Sequence, residues 1–333
     1  MIQNGAPFGC AILNSNRTAI VANLTVLFTL CYLGLGKLVF TRFMQPPEFS
    51  SIAHRPLHPL PHDARVAVMV VMNVEHFSFG KLGTAIQPHL TSPPEIANYG
   101  WRDYGNRVGI WRLFDLFDEL QIPVTGAVNG DICTFYPEII QGMQQRHWEF
   151  MAHGINNSTG HSGMTVEAER EVIQKTLDLL TQATGEKPKG WLTPGFSVTE
   201  STFDLLYNAG IVYTTDWVND DQPYWYPVAQ GKMLAIPYTL EANDITLCLT
   251  ARLTGAEFAQ AIIDQFDQLW LDGATQPRVM TIGLHPFIVG QPLRLKYLRQ
   301  CLLHIKKRSH TWLTTGYEIY QWMNQKNPLN PPL

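Results

Sequence analysis

Arg65 to Gly80 reads RVAVMVVMNVEHFSFG, and the architecture of the chain follows from it. Val66 to Met72 is an unbroken uncharged run, rich in the β-branched residues that favour a strand. It has no polar face, so it predicts a strand covered on both sides, as in a parallel sheet wrapped by helices. The run ends in Asn73, Glu75 and His76. In α/β barrels and open α/β sheets, ligands bind at that C-terminal strand end. A carboxylate, an amide and an imidazole within four residues therefore make a start to an active site. The plainer alternative is a polar strand end that merely meets water.

The 333 residues suffice for one large domain or two ordinary ones. A 45% apolar and 16% charged composition is that of a globular protein. A net charge of −4 and a pI near 6.2 argue against a nucleic-acid partner, which would want a basic face. Many of the Trp and Tyr residues fall near predicted strand ends, which suits a cleft for a small-molecule substrate. Cys10, Cys31, Cys133, Cys248 and Cys301 are scattered without C-x-x-C spacing, so neither a zinc knuckle nor a disulfide framework is indicated. That is compatible with a reducing compartment.

Residues 1–43 form a hydrophobic leader outside this fold. Thr18 to Gly36 is uncharged and long enough to span a bilayer, with Asn23 as an objection. Lys37 and Arg42 follow it and only Arg17 precedes it, which would keep the C-terminal body cytoplasmic, anchored through residues 18–36. Two rivals are a signal peptide, for which Gly34-Leu35-Gly36 is a poor cleavage site, and a start called too early, with Met44 the true beginning. Residues 44–64 are a Pro- and His-rich linker, 65–325 the domain, and 326–333 a tail. A homo-oligomer is left open.

From Val66 onward strands and helices alternate. Helical spacing or composition predicts helices over Gly109–Leu120, Asp131–Gln144 (with Pro137 inside), Thr165–Thr184, Glu200–Asn208, Ala256–Leu271 and Leu293–Lys307, and one at the C-terminus. Strands are predicted at Ile122–Val128, Trp148–Ala152, Gly190–Leu192, Ile211–Thr215, Met233–Pro237, Val279–Leu284 and Thr311–Thr314. Some seven or eight β-α units in one run predict a distorted (β/α) barrel of one domain.

Several strands end in polar residues. Glu75 follows the first, His153 and Asn157 the Trp148–Ala152 strand, and His285 the Val279–Leu284 strand. Thr193 and Pro194, then Asp216 and Trp217, close two others. One histidine at a strand end is usually structural; three strands offering Glu75, His153 and His285 on one rim point to a site.

The motif order resembles the polysaccharide deacetylase superfamily, over roughly Val66 to Met323. The carrying phrases are DYGNRVGIWRL (Asp103–Leu113), MAHGINNS (Met151–Ser158), GWLTPG (Gly190–Gly195), DWVNDDQPYW (Asp216–Trp225), IPYTLEANDI (Ile236–Ile245) and GLHPFIVGQP (Gly283–Pro292). Within the superfamily the chain is most similar to the metal-independent allantoinase branch. The resemblance places Asn73 where the deacetylases have a base Asp, Glu75 at the metal-ligand Asp, His153 and Asn157 at the histidine pair, and Leu192 at an arginine. Glu75, His153 and Asn157 are thus the candidate ligands for zinc or another divalent cation, with His161 able in principle to fill in, and they fall short of a good set. No cofactor is expected. His161, four residues on, is expected in an exposed loop.

What remains suits hydrolysis of a non-peptide carbon–nitrogen bond in a small cyclic ureide or amide. Glu75 is expected to take a proton from water, with burial raising its pKa toward neutrality. His285 would protonate the departing nitrogen, and His153 with the amides of Asn73 and Asn157 would donate to the carbonyl oxygen. Arg107, Glu241 and Asn243 are expected to line the substrate, with Asp103 and Asp244 beside them, although Glu241 and Asp244 read rather as solvated loop. Asp216 is expected to orient a histidine. The rivals are a metal-dependent polysaccharide N-deacetylase and a degenerate barrel that only binds a ligand or glycan.

Overall fold

The computed structural model describes residues 44–326, all within one compact unit. The predicted leader lies outside the described residues. Among these, no helix is long and apolar enough to cross a membrane.

Among the described residues the nine strands are β1 (Val66–Val74), β2 (Val124–Val128), β3 (Glu149–Ala152), β4 (Gly190–Trp191), β5 (Tyr213–Thr214), β6 (Tyr224–Val228), β7 (Gly231–Ala235), β8 (Arg278–Leu284) and β9 (Thr311–Thr314). They form one sheet in the order β6-β7-β5-β4-β3-β2-β1-β8. Every pairing is parallel except the β6–β7 hairpin. β8 runs along one whole edge of β1, while β9 and β2 share the other, at its start and its end. The sheet curls until the chain after β7 meets β8, with Asn243 bridging to Gly283 and Thr281 Oγ1 donating to Pro237 O at 2.6 Å. The result is the expected distorted barrel in a single domain.

β1 shows why an unbroken apolar run belongs at the centre. Val66, Val68, Val70, Met72 and Val74 join the core beneath the helices, whereas Ala67, Met69 and Val71 pack inside the barrel with Met151, Leu234 and Tyr238. Both faces are dry, as predicted.

The helices are α1 (Ile96–Tyr104), α2 (Ile110–Leu120), α3 (Gly130–Phe135), α4 (Pro137–Gln145), α5 (Val166–Thr184), α6 (Thr202–Asn208), α7 (Gly255–Asp272), α8 (Pro286–Val289), α9 (Pro292–Lys307) and α10 (Gly316–Lys326). Residues Ile110, Leu113, Phe114, Phe117 and Leu120 of α2 are buried at the predicted spacing. The single helix expected over Asp131–Gln144 is broken at Tyr136, because Pro137 has no N–H to continue it and starts α4 instead. The β6–β7 hairpin is an addition to the expected pattern; Pro227 is tolerated there because β6 is an edge strand. The 44–64 stretch lies against the barrel: Arg55 pairs with Asp220 at 2.7 Å, and Trp322 Nε1 donates to Pro59 O at 3.1 Å.

Candidate active site

The alternation of β1 delivers the first functional side chain. Ala67, Met69 and Val71 point into the barrel, and the same period carries Asn73 and then Glu75 to its mouth. Glu75 is buried. Its Oε1 accepts from Asn157 Nδ2 at 2.5 Å and lies 3.4 Å from His153 Nε2 and 3.5 Å from His285 Nε2. Its Oε2 has no hydrogen-bond partner among the described residues. Residues from two other strand ends, His153 with Asn157 and His285, thus converge on one carboxylate.

Each histidine is oriented from behind. His285 Nδ1 donates to Asp244 Oδ1 at 2.6 Å, and the His285 backbone N–H donates to Asp244 Oδ2 at 2.7 Å. His153 Nδ1 donates to the carbonyl of Leu192 at 2.7 Å. Both rings therefore present Nε2 to Glu75. The turn that carries His285 is held by two glycines of the DYGNRVG phrase. A Cβ on Gly109 would stand 2.2 Å from Pro286 O, and one on Gly105 would stand 2.7 Å from Phe287 N. Their bare backbone lets this π-helical turn press directly on the Pro286–Phe287 peptide, one residue past His285.

Ionisation follows from the company each group keeps. Burial by itself pushes Glu75 up, but the charge of His285 and the hydrogen bonds of His153 and His285 outweigh it and hold the carboxyl down at about 2. This reverses the expectation of a near-neutral Glu75, since burial was legible in sequence and the two imidazoles at hydrogen-bonding range were not. His285 is lowered by burial, yet Asp244 and Glu75 outweigh that and hold it up at about 10. At neutral pH the pair is a carboxylate facing an imidazolium. Asp244, itself fully buried, is pushed up by its burial against the pull of His285.

The other nominated residues separate clearly. Asn73 Nδ2 donates to Leu284 O at 3.1 Å and to Tyr238 Oη at 3.3 Å, and Asn243 Nδ2 donates to the same phenol at 3.0 Å. These amides brace the barrel mouth. Pro194 packs its ring where a Cβ on Gly154, next to His153, would fall. Asp216 accepts from the Thr193 N–H at 2.8 Å, from its hydroxyl at 3.0 Å and from Thr214 Oγ1 at 2.8 Å; it fixes the Leu192–Thr193 peptide whose carbonyl takes the His153 Nδ1 proton, and it grips no histidine directly. Asp244 holds that role. Arg107 is 72% exposed in its side chain and pairs with Asp103 at 3.5 Å. Trp217 packs with Phe203 and Tyr226, and Glu241 is exposed, so neither joins the cluster. His161 is fully buried, not exposed: its Nδ1 meets Glu169 Oε1 at 3.1 Å, and Thr199 and Thr202 hydroxyls also hold that carboxylate. The fully buried Asn129 was missed as a site residue, and Asp244 was expected only beside the substrate or in a solvated loop, not behind a histidine. The only signal for Asp244 was its place after a strand.

A divalent cation of the kind the resemblance implies does not fit these residues. Asn157 turns its Nδ2 to Glu75 and gives its Oδ1 to Asn129 Nδ2 at 3.0 Å, so no amide oxygen faces the centre. Of the three candidate ligands only Glu75 and His153 then remain, and among the described residues no three His, Cys, Asp or Glu side chains form a ligand group.

Residues 101–214 match the family model for polysaccharide deacetylase. A Schizosaccharomyces pombe protein assigned by name to the polysaccharide deacetylases is 27% identical over 81% of this chain and 94% of its own length. The peptidoglycan deacetylase of Helicobacter pylori is 24% identical over 70% of this chain and 92% of its own. Among solved structures, Puue allantoinase superposes with a TM-score of 0.79 at 28% identity, covering 86% of this chain and 99% of that one. A Pseudomonas aeruginosa protein assigned to the polysaccharide deacetylases gives 0.78 at 28% identity, over 86% and 100%. The chain carries a polysaccharide deacetylase domain, folded as one curled (β/α) barrel.

Proposed function

We propose that the chain hydrolyses a carbon–nitrogen bond in a small cyclic ureide or amide, without a metal, by the paired action of Glu75 and His285. The family makes it a hydrolase of non-peptide carbon–nitrogen bonds. The observation that carries the finer reading is the Glu75 carboxylate itself. Three side chains hold one oxygen, the other has no partner, and the place of a third metal ligand is taken by an amide donor.

The chemistry runs as follows. Glu75 Oε2 accepts a proton from water as the water oxygen adds to the carbonyl carbon. Asn157, whose Nδ2 already faces Glu75, is the polar donor offered to the developing oxyanion. His285 Nε2 then gives its proton to the departing nitrogen as the C–N bond breaks, and Asp244 steadies the ring throughout. The ionised Glu75 and protonated His285 of the resting site are the two states this sequence requires. Glu75 is a weak base while His285 is charged. Its basicity rises as His285 hands its proton to the leaving group, so the two transfers support one another.

A second reading, N-deacetylation of a sugar polymer, takes support from the names of the two curated relatives. A screen of ureides, hydantoins and N-acetyl sugars, with and without chelator, separates them. The first reading expects ureide or cyclic-amide turnover that survives chelator and falls about 10²–10⁴-fold in Glu75→Gln. Turnover of N-acetyl sugars alone, abolished by chelator, would replace it with the second.

A further inference from the structure

Asn157 could present either end of its amide to Glu75, and the end it presents sets the polarity of the site. The choice can be traced to a group that has none. The backbone N–H of His76 can only donate, and it meets Asn129 Oδ1 at 2.8 Å. The other amide atom of Asn129 is therefore its nitrogen. That Nδ2 donates to the backbone carbonyl of His153, which can only accept, and to Asn157 Oδ1 at 3.0 Å. With its oxygen engaged, Asn157 must turn Nδ2 to Glu75, at 2.5 Å. The backbone N–H of Asn157 also donates to His76 O at 2.9 Å, so the backbone of one residue clamps both ends of the relay.

Asn129 is fully buried at the end of β2, where it is the N-cap of α3. An asparagine there ordinarily spends its side chain on the first helical N–H groups. This one makes no such bond and gives its amide to His76, His153 and Asn157 instead. Helix capping does not account for it.

We infer that Asn129 is a positioning residue, which transmits the polarity of the His76 N–H to Asn157 and so keeps an amide donor on Glu75. The centre then holds a donor where a cation would need an acceptor. Asn157 is half-buried and has no other partner for its oxygen among the described hydrogen bonds, so without Asn129 its amide is free to turn. The kinetic consequence rests on Glu75 being the reactive carboxylate, as proposed above; the relay itself does not.

The test uses the full chain labelled with ¹⁵N in asparagine and reads the side-chain NH₂ signals by NMR. The Asn157 pair is assigned as the signals lost in Asn157→Leu. In the unaltered protein one Asn157 proton should lie downfield and exchange slowly, as a charge-assisted bond to a carboxylate requires. Asn129→Asp keeps the acceptor for His76 and loses the donor; Asn129→Ala loses the donor with a smaller, neutral group. In either folded variant that proton should return to the ordinary range. On a substrate found in the screen, kcat should fall about 10–100-fold with KM unchanged. An unshifted Asn157 proton in the unaltered protein, or one that stays downfield in a folded Asn129 variant, overturns the relay. Because the signal needs no substrate, failure of the hydrolase reading leaves it readable.

Discussion

Asp244 and His285 are joined twice, through the imidazole Nδ1 at 2.6 Å and through the backbone N–H at 2.7 Å, on the two oxygens of one buried carboxylate. The two-point grip fixes both the rotation of the ring and its tautomer, leaving Nε2 aimed at Glu75. It is also the larger of the two attractions that hold the His285 proton.

Asp244→Asn should therefore keep the fold and lose the rate. An amide can hold only one of the two donors and carries no charge to sustain the imidazolium. A fall of about 10²–10⁴-fold in kcat/KM is expected, the usual yield of a positioned acid. In the unaltered protein the rate should stay level across neutral pH and drop on the alkaline side as His285 loses its proton near 10. In Asp244→Asn that alkaline limb should move to lower pH. An unmoved limb in the kcat/KM profile would show that another group supplies the proton.

Stability should follow the same pair. Glu75 has a folded pKa below its ordinary value of 4.5, so its contribution is present above about 4.5 and is lost as pH falls toward 2. His285 has a folded pKa above its ordinary 6.5, so its contribution is complete below 6.5 and is lost as pH rises through about 10. The melting temperature of the unaltered protein should exceed that of Glu75→Gln most between these limits and converge with it toward either extreme. A gap independent of pH would mean that packing, not charge, separates the two.

Purified protein should hold well under one zinc per chain and lose no activity in chelator. Elemental analysis before and after chelation, beside turnover on a ureide, checks this. Stoichiometric zinc whose removal abolishes the rate would overturn it. The expectation rests on the amide donor that stands where a third ligand would be needed.

Gly109→Ala should destabilise by about 1–3 kcal/mol, the cost of forcing a methyl into a filled contact. The new Cβ would meet Pro286 O at 2.2 Å, and backbone cannot swing aside as a flexible side chain can. Gly100→Ala in α1, where nothing lies within 4 Å, should be neutral or stabilising by about 0.5–1 kcal/mol. Urea titrations of the two variants give the comparison. Because the Gly109 contact bears on the turn after His285, loss of rate should accompany loss of stability only in Gly109→Ala.

Much of this was legible before any coordinates. An apolar run such as Val66–Met72 implies two dry faces, and a run of such strands implies their parallel arrangement. Glu75, His153 and His285 could be found because each lies just past the end of its own strand, a local property. The hairpin strand Tyr224–Val228 could not, because its Pro and mixed burial read as loop until an edge position excuses them. Trp217 and Glu241 share the strand-end signal without sharing the site: curvature carries one into the aromatic core and leaves the other in solvent.

The order of strands and the chemistry at their ends were thus written in local sequence, because burial period and strand ends depend on neighbours along the chain. Partnership was not. Asp244 becomes a buried acceptor only because the barrel closes there, with Asn243 bridging to Gly283 just before His285. The ionisation of Glu75 depends on two imidazoles that are 78 residues away on one strand end and far along the chain on another. Electrostatic energy falls with distance through space, so the burial of Glu75 could be foreseen while the sign of its pKa shift could not.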